Sequence, residues 1–171
     1  MNTFTDKPLQ LLLNSEKKYG NRTALSCVKK TFTFSELKNH VLAMGNYLAD
    51  NGLKPGTPVA VYTNDHSSFF VTMFSIWAAG GVIVPINTSL PAETQNEIEA
   101  KCKPELGIYF GGTVVKSNTK IKLLDLEKIT ITGRQDFKPV DVNAEDPAAI
   151  IFTSGSTGIP KGVPCSHKML A

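Results

Sequence analysis

Cysteine is scarce in this sequence. There are three, Cys27, Cys102 and Cys165, an odd number with no pair at CxxC or metal-ligand spacing. That excludes a disulfide scaffold or a cysteine zinc site and implies free thiols in a reducing compartment. Strong charge of either sign is also missing. The formal net charge is +3, too mild for nucleic acid or an anionic membrane as a partner, and the basic patches Lys29–Lys30 and Lys116–Lys122 read as solvated turns. No apolar run approaches the ~20 residues needed to cross a bilayer. Met1 to Leu13 has no basic segment leading into an apolar core and a cleavage site, so no secretory signal is read there and the protein is expected in the cytoplasm. Internal repeats, heptads and low-complexity tracts are lacking too, which sets aside solenoids and coiled coils. What remains is an ordinary globular composition, 42% hydrophobic over 171 residues, long enough for one sizeable core.

The apolar residues that are present alternate between two periods. Leu9, Leu12 and Leu13 fall on one face of a short helix, with Gly20 as its expected stop. "TALSCV" and "KKTFTF" read as a hairpin. Thr33-Phe34-Ser35-Glu36 has capping-box form, with Phe32 and Leu37 at staple positions. Leu37, Val41, Met44 and Leu48 then make a helical stripe ending near Gly52. A buried strand over Val59 to Thr63 follows, then a helix capped by Asp65 or Ser67 and carrying Phe69, Met73, Ile76 and Trp77. Phe69, Phe70, Met73 and Trp77 could be imagined as a ligand box, but their helical spacing assigns them to the core. Gly80–Gly81 end that helix. "VIVPI" (Val82 to Ile86) is a strand, Pro91 falls in the first turn of a helix through Cys102, and "ELGIYF" is another strand. Two more short strands are expected between Lys120 and Thr132, one of them "KITIT". An irregular connection runs from Gly133 to Pro147, and "AAIIFT" (Ala148 to Thr153) is expected as the last strand. Strands alternating with helices predict an α/β class, a mostly parallel sheet flanked by helices. Strands apolar at successive positions suit a sheet covered on both faces.

The last of these strands opens into "TSGSTGIPKG". Gly155, Gly158 and Gly162 allow positive φ and close approach to an anion. Successive backbone N–H groups in such a run can form a nest for phosphate oxygens. Thr153, Ser154, Ser156 and Thr157 add hydroxyl donors, and Lys161 adds a compact positive charge. The spacing is neither GxxxxGK[ST] nor GxGxxG. Pro160 disfavours a helix directly after Gly158, which argues against a helix-dipole phosphate site. A surface loop that binds nothing is the plainer alternative. Cys165 lies close by, but nothing in the sequence pairs it with a base.

"FTSGSTGIPKGV" resembles the signature phosphate-binding loop of the adenylate-forming enzymes, the superfamily of acyl-CoA synthetases, amino-acid-adenylating domains and beetle luciferases. The pattern [ST]SG[ST]TGxPKG is met at every position from Thr153 to Gly162. "FTFSEL" (Phe32 to Leu37) and "WAAGGVIVPINTSLPAE" (Trp77 to Glu93) resemble two further family segments in the right order. The resemblance covers nearly the whole chain and implies the N-terminal part of the family's large domain. Residues 1–171 are then an incomplete N-terminal subdomain of an AMP-binding domain, ending just after the phosphate-binding loop 153–162.

By that resemblance, Thr153, Ser154, Gly155, Ser156, Thr157, Gly158 and Lys161 bind ATP. The loop closes over the β- and γ-phosphates, Thr153 matches a hydroxyl that contacts the AMP phosphate, and Lys161 matches the loop lysine. The implied reaction joins a carboxylate to the α-phosphate of ATP, releasing pyrophosphate. The acyl group then passes to the thiol of coenzyme A or of a carrier protein's phosphopantetheine. Offsetting charge on the leaving pyrophosphate is the loop's physical contribution. Thr33 and Glu36 keep a capping role, Pro85 and Pro91 are structural, and His167 is expected to start the next helix. The adenine- and magnesium-binding motif, the ribose aspartate and the lysine of the mobile C-terminal domain are expected outside this chain. No catalytic residue and no metal ligand is therefore assigned within it. Alone, the chain is expected to be inactive, with an exposed sheet edge that invites association. An acid–thiol ligase most like an acyl-CoA synthetase is the leading reading. The alternatives are an amino-acid-adenylating domain loading a carrier protein and a non-catalytic nucleotide- or phosphate-binding module.

Overall fold

Local sequence rules place the first elements. In the computed structural model, which describes residues 6–27, 30–63, 66–117, 120–128, 136–153 and 160–171, Thr33 caps a 17-residue helix. Its hydroxyl accepts from the Glu36 amide, and a Glu36 carboxyl oxygen accepts from the Thr33 amide. Two of the backbone donors at the helix N-terminus are thereby satisfied, the reciprocal capping box. Phe32 and Leu37 flank it, buried in one apolar cluster with Leu9, Leu12 and Val41.

The chain begins with α1 (Pro8–Tyr19), then the antiparallel hairpin of β1 (Thr23–Cys27) and β2 (Lys30–Thr33), then α2 (Phe34–Asp50). Gly20 ends α1 as expected but not by a left-handed turn, for its φ is −34°. What it supplies is room, because a Cβ there would lie 2.8 Å from the Ser35 hydroxyl, which donates to Glu16.

The rest builds a six-stranded sheet in the order β6-β5-β3-β4-β7-β8. Its strands are β3 (Pro58–Tyr62), β4 (Val82–Ile86), β5 (Leu106–Tyr109), β6 (Lys122–Asp125), β7 (Pro147–Thr153) and β8 (Lys161–Ser166). The first five pair in parallel and β8 returns antiparallel on β7. The helices are α3 (His66–Ala78) between β3 and β4, α4 (Ala92–Cys102) between β4 and β5, and the short α5 (His167–Leu170). The expected α/β class and mostly parallel sheet are therefore present. Ser67 falls inside α3 rather than before it, and Asp65 lies outside the described residues. Pro91 stands one position ahead of α4 rather than in its first turn. Most of "KITIT" also lies outside the described residues.

Side chains of a strand alternate between faces. Val59, Val61, Ile83, Leu106 and Ile108 pack with Met44 and Leu48 of α2 and Ile76 of α3. Ala60, Tyr62, Val84 and Ile86 pack with Ile98 of α4 on the opposite face. Both faces of the strands are covered, which is why they carry no polar alternation. Of the aromatic run in α3, Phe69, Met73 and Trp77 join the core, whereas Phe70 is 45% exposed. Gly80, at φ +79°, turns the chain from α3 toward β4 in a conformation that favours glycine. Val140 closes over it, its amide donating to the Ala78 carbonyl.

Candidate functional site

The sequence expectation of no strand beyond Thr153 is corrected by the fold. "KGVPCS" forms β8, with Thr153 registered opposite Lys161, Phe152 opposite Gly162 and Ile151 opposite Val163. Its residues are largely exposed, so no hydrophobic pattern announces a strand; pairing with β7 creates it. Pro164 is tolerated because β8 lies at the sheet edge. Among the described residues, Pro160 leads into a strand and not into a helix.

Residues directly opposite in an antiparallel pair share a face. Thr153 and Lys161 therefore stand side by side at the end of the β7–β8 ribbon, and both are exposed. Ser154, Gly155, Ser156, Thr157 and Gly158 lie outside the described residues, in the connection between these two. The structure thus brings the first and last of the sequence-derived binding residues together across one ladder position.

That position is at the carboxyl edge of the sheet, since β7 runs parallel to β4. Adjacent strands β3 and β4 send their following helices to opposite faces, α3 to one and α4 to the other. Such a reversal opens a crevice at the carboxyl ends of the strands, the usual ligand position in open α/β sheets. Among the described residues the β4–β7 ladder has a single registered pair, Ile83 with Ala149. Beyond it the β4 strand carries Pro85, which has no N–H to donate. Among the described residues Ile150–Thr153 are registered with β8, while β4 runs on beside β7 to Ile86.

The two faces of the ribbon differ. Ile150 and Phe152 pack toward the α4 cluster. Gly162 is needed opposite them, for a Cβ there would come within 3.0 Å of the Phe152 ring and 3.1 Å of Ile150. The other face carries Ile151, Val163, Thr153 and Lys161, open to solvent. At the ribbon's end, the Lys101 ammonium of α4 donates to the Pro160 carbonyl.

Neighbouring groups that could be mistaken for catalytic ones have structural explanations. Burial pushes the Cys102 thiol up to about 11, so it is no thiolate at neutral pH. Cys165 is half-buried against the core opposite Ala149. His167 starts α5 as expected, and the cap before it is Ser166, whose hydroxyl accepts from the Met169 amide. The His167 ring is buried edge-on against Trp77 at 5.7 Å, and burial lowers its pKa. It lines a cavity of about 240 Å³ with Lys7, Leu9, Leu13, Pro139 and Val140. Sequence reasoning missed the Glu99 site altogether. Its carboxyl group, buried beneath α4, accepts from the Tyr62 hydroxyl at 2.7 Å and the Ser117 hydroxyl at 2.6 Å. Burial, then Glu99 itself, pushes the Tyr62 phenol far above its ordinary range. Only the spacing of Gln95, Ile98 and Glu99 on one helix face could have signalled this. Among the described residues no group of three His, Cys, Asp or Glu is assembled to hold a metal ion. No described helix is long and apolar enough to cross a membrane.

The sheet is mostly parallel, and its carboxyl edge sets Thr153 beside Lys161 at the two ends of a Gly-, Ser- and Thr-rich stretch of sequence. Residues 12–171 match the AMP-binding enzyme family, and the chain belongs to it. It is 32% identical over 141 residues to surfactin synthase subunit 1 of Bacillus subtilis (strain 168), covering 82% of this chain and 4% of that protein. Its fold matches the N-terminal subdomain of Klebsiella oxytoca NpsA in complex with 3-hydroxybenzoyl-AMSN, with a TM-score of 0.84 at 25% identity, covering 94% of this chain and 41% of the other. It also matches the fatty acyl-adenylate ligase of L. pneumophila, in complex with acyl adenylate and pyrophosphate, with a TM-score of 0.83 at 24% identity, covering 96% and 31%. The chain thus spans 4% of the length of its peptide-synthase relative. The family is one of ATP-dependent, adenylate-forming ligases.

Proposed function

We propose that this chain supplies the phosphate-gripping part of an enzyme that activates a carboxylate as its acyl adenylate, with release of pyrophosphate, and passes the acyl group to a thiol. The observation that carries this reading is the Thr153–Lys161 register at the carboxyl edge. It brackets the run Ser154 to Gly158 between a hydroxyl and an ammonium. In this reading Thr153, Ser154, Ser156 and Thr157 donate hydroxyl protons to phosphate oxygens, Gly155 and Gly158 let the backbone come close, and Lys161 offsets negative charge on the departing pyrophosphate. Magnesium and the adenine contacts belong to residues outside this chain.

Two acceptors are consistent with the family. Coenzyme A, and with it an acyl-CoA synthetase, is favoured by the segment "PINTSLPAE". A carrier-protein phosphopantetheine, and with it an amino-acid-adenylating domain, is favoured by the peptide synthases among the relatives. The test is carboxylate-dependent ATP–pyrophosphate exchange by the full-length protein across fatty, aryl and amino acids, followed by transfer to coenzyme A or to a carrier protein. Exchange with one acid class is expected, and Lys161→Ala should raise the KM for ATP about tenfold or more. Nucleotide binding without exchange would return the protein to a non-catalytic module.

A further inference from the structure

We propose that Lys101 is a positioning residue for Lys161. From the last turn of α4 it holds the Pro160 carbonyl, and through it fixes the place of Lys161 at the ribbon's end. The proposal rests on the reading of Thr153–Lys161 as an ATP-phosphate grip.

Three observations support it. First, the ribbon's end at Thr153 and Lys161 lies just past β4, since Ile83 registers with Ala149 and β4 stops at Ile86. Its far end therefore needs another support. Second, that support is α4. Ile150 and Phe152 lie against the α4 cluster, and Gly162 leaves the space that lets both rest there. Lys101 of α4 reaches the ribbon's polar backbone, donating to the Pro160 carbonyl. Third, α4 is itself anchored to the sheet. Ile98 is buried against it and Glu99 accepts from Tyr62 of β3, while Gln95 donates to the Leu90 carbonyl in the connection before α4 at 2.9 Å. A lysine on an anchored helix can hold a strand root; one on a loose loop could not.

The chemistry of the contact suits the task. Pro160 is buried and its carbonyl precedes Lys161 in the chain. An ammonium donating to that carbonyl limits rotation of the Pro160–Lys161 peptide plane without contacting the ligand. Lys101 and Lys161 then divide the work, one cation holding backbone and the other free to face phosphate. An arginine at 101 retains a donor of similar reach, whereas methionine retains the stem and loses the donor.

The test compares Lys101→Met and Lys101→Arg in the full-length protein. Amide hydrogen exchange over residues 152–162 is read without nucleotide, and the KM for ATP is read beside kcat in pyrophosphate exchange. Lys101→Met should speed exchange at the Pro160 end of the ribbon about fivefold to tenfold, the scale of one charge-assisted hydrogen bond partly screened by solvent. It should raise the KM for ATP by a similar factor with kcat within about twofold, and Lys101→Arg should restore both. Unchanged amide exchange in Lys101→Met overturns the tether. Faster exchange with an unchanged KM overturns the positioning role. A wild-type protein with no carboxylate-dependent exchange would instead defeat the adenylation reading, while the amide arm still decides whether Lys101 holds the ribbon.

Discussion

The two faces of the sheet are built differently. Under α2 and α3 the cluster against the sheet is apolar, with Leu48, Val59, Val61 and Ile76 all at 0% exposure, and the buried hydroxyl of Ser75 donates within its own helix to the Val71 carbonyl. Under α4 an apolar layer of Ala60, Val84 and Ile98 surrounds a buried carboxyl group bonded to a tyrosine and a serine. The first face gains stability from area removed from water and has no directional demand. The second adds hydrogen bonds that hold only if every partner is in place, so it specifies one position for α4. The face that carries the ribbon's support is the one with the directional lock.

Removing atoms from the apolar face should have the largest effect. Leu48→Ala leaves a cavity in a closed core and should cost about 3 kcal/mol in denaturant unfolding. A loss below about 1 kcal/mol would mean that the α2 face is not the tight core described. On the other face, Glu99→Leu strips the Tyr62 and Ser117 hydroxyls of this acceptor and should cost about 2 kcal/mol. In a double-mutant cycle with Tyr62→Phe, a coupling of about 1 kcal/mol is expected; strict additivity would dissolve the contrast between the faces. At the rim, Thr33→Ala removes the α2 cap and should cost about 1 kcal/mol, read as a shift in the urea midpoint at constant slope.

The smallest effect is one of pH. Burial lowers the His167 pKa from its ordinary 6.5. The unfolded chain therefore binds a proton that the folded one refuses, and stability rises with pH across the interval between the two values. The contribution is complete above about 6.5 and is lost as the pH falls toward the lowered value. His167→Phe should flatten that segment of the stability–pH curve. An identical slope in wild type and variant would assign it to other groups.

Legibility in the sequence followed range of interaction. The α2 cap, the hairpin, the apolar stripe of α2 and the strands β3 to β5 were all readable, because each depends on residues within a turn or on a repeating period. The Gly-rich run was readable as chemistry, through its glycines, hydroxyls and lysine. β8 was not, because an exposed edge strand needs no apolar pattern and owes its form to β7. Gly20 was placed correctly for the wrong reason, since its use is space for Ser35 across a helix boundary. Glu99 looked like one more helix carboxylate until Tyr62, 37 residues away, was brought over it.

The sequence by itself determined the α/β class, the order of nearly all elements and the residue types offered to a phosphate, because propensity, capping and periodicity act over a few residues. Only the tertiary structure decided which residues meet. It set Thr153 beside Lys161, registered Ile83 with Ala149, buried Glu99 against Tyr62 and brought Lys101 to Pro160. These contacts join segments far apart in the chain, and their loop-closure entropy is repaid only when the sheet and its helices assemble together.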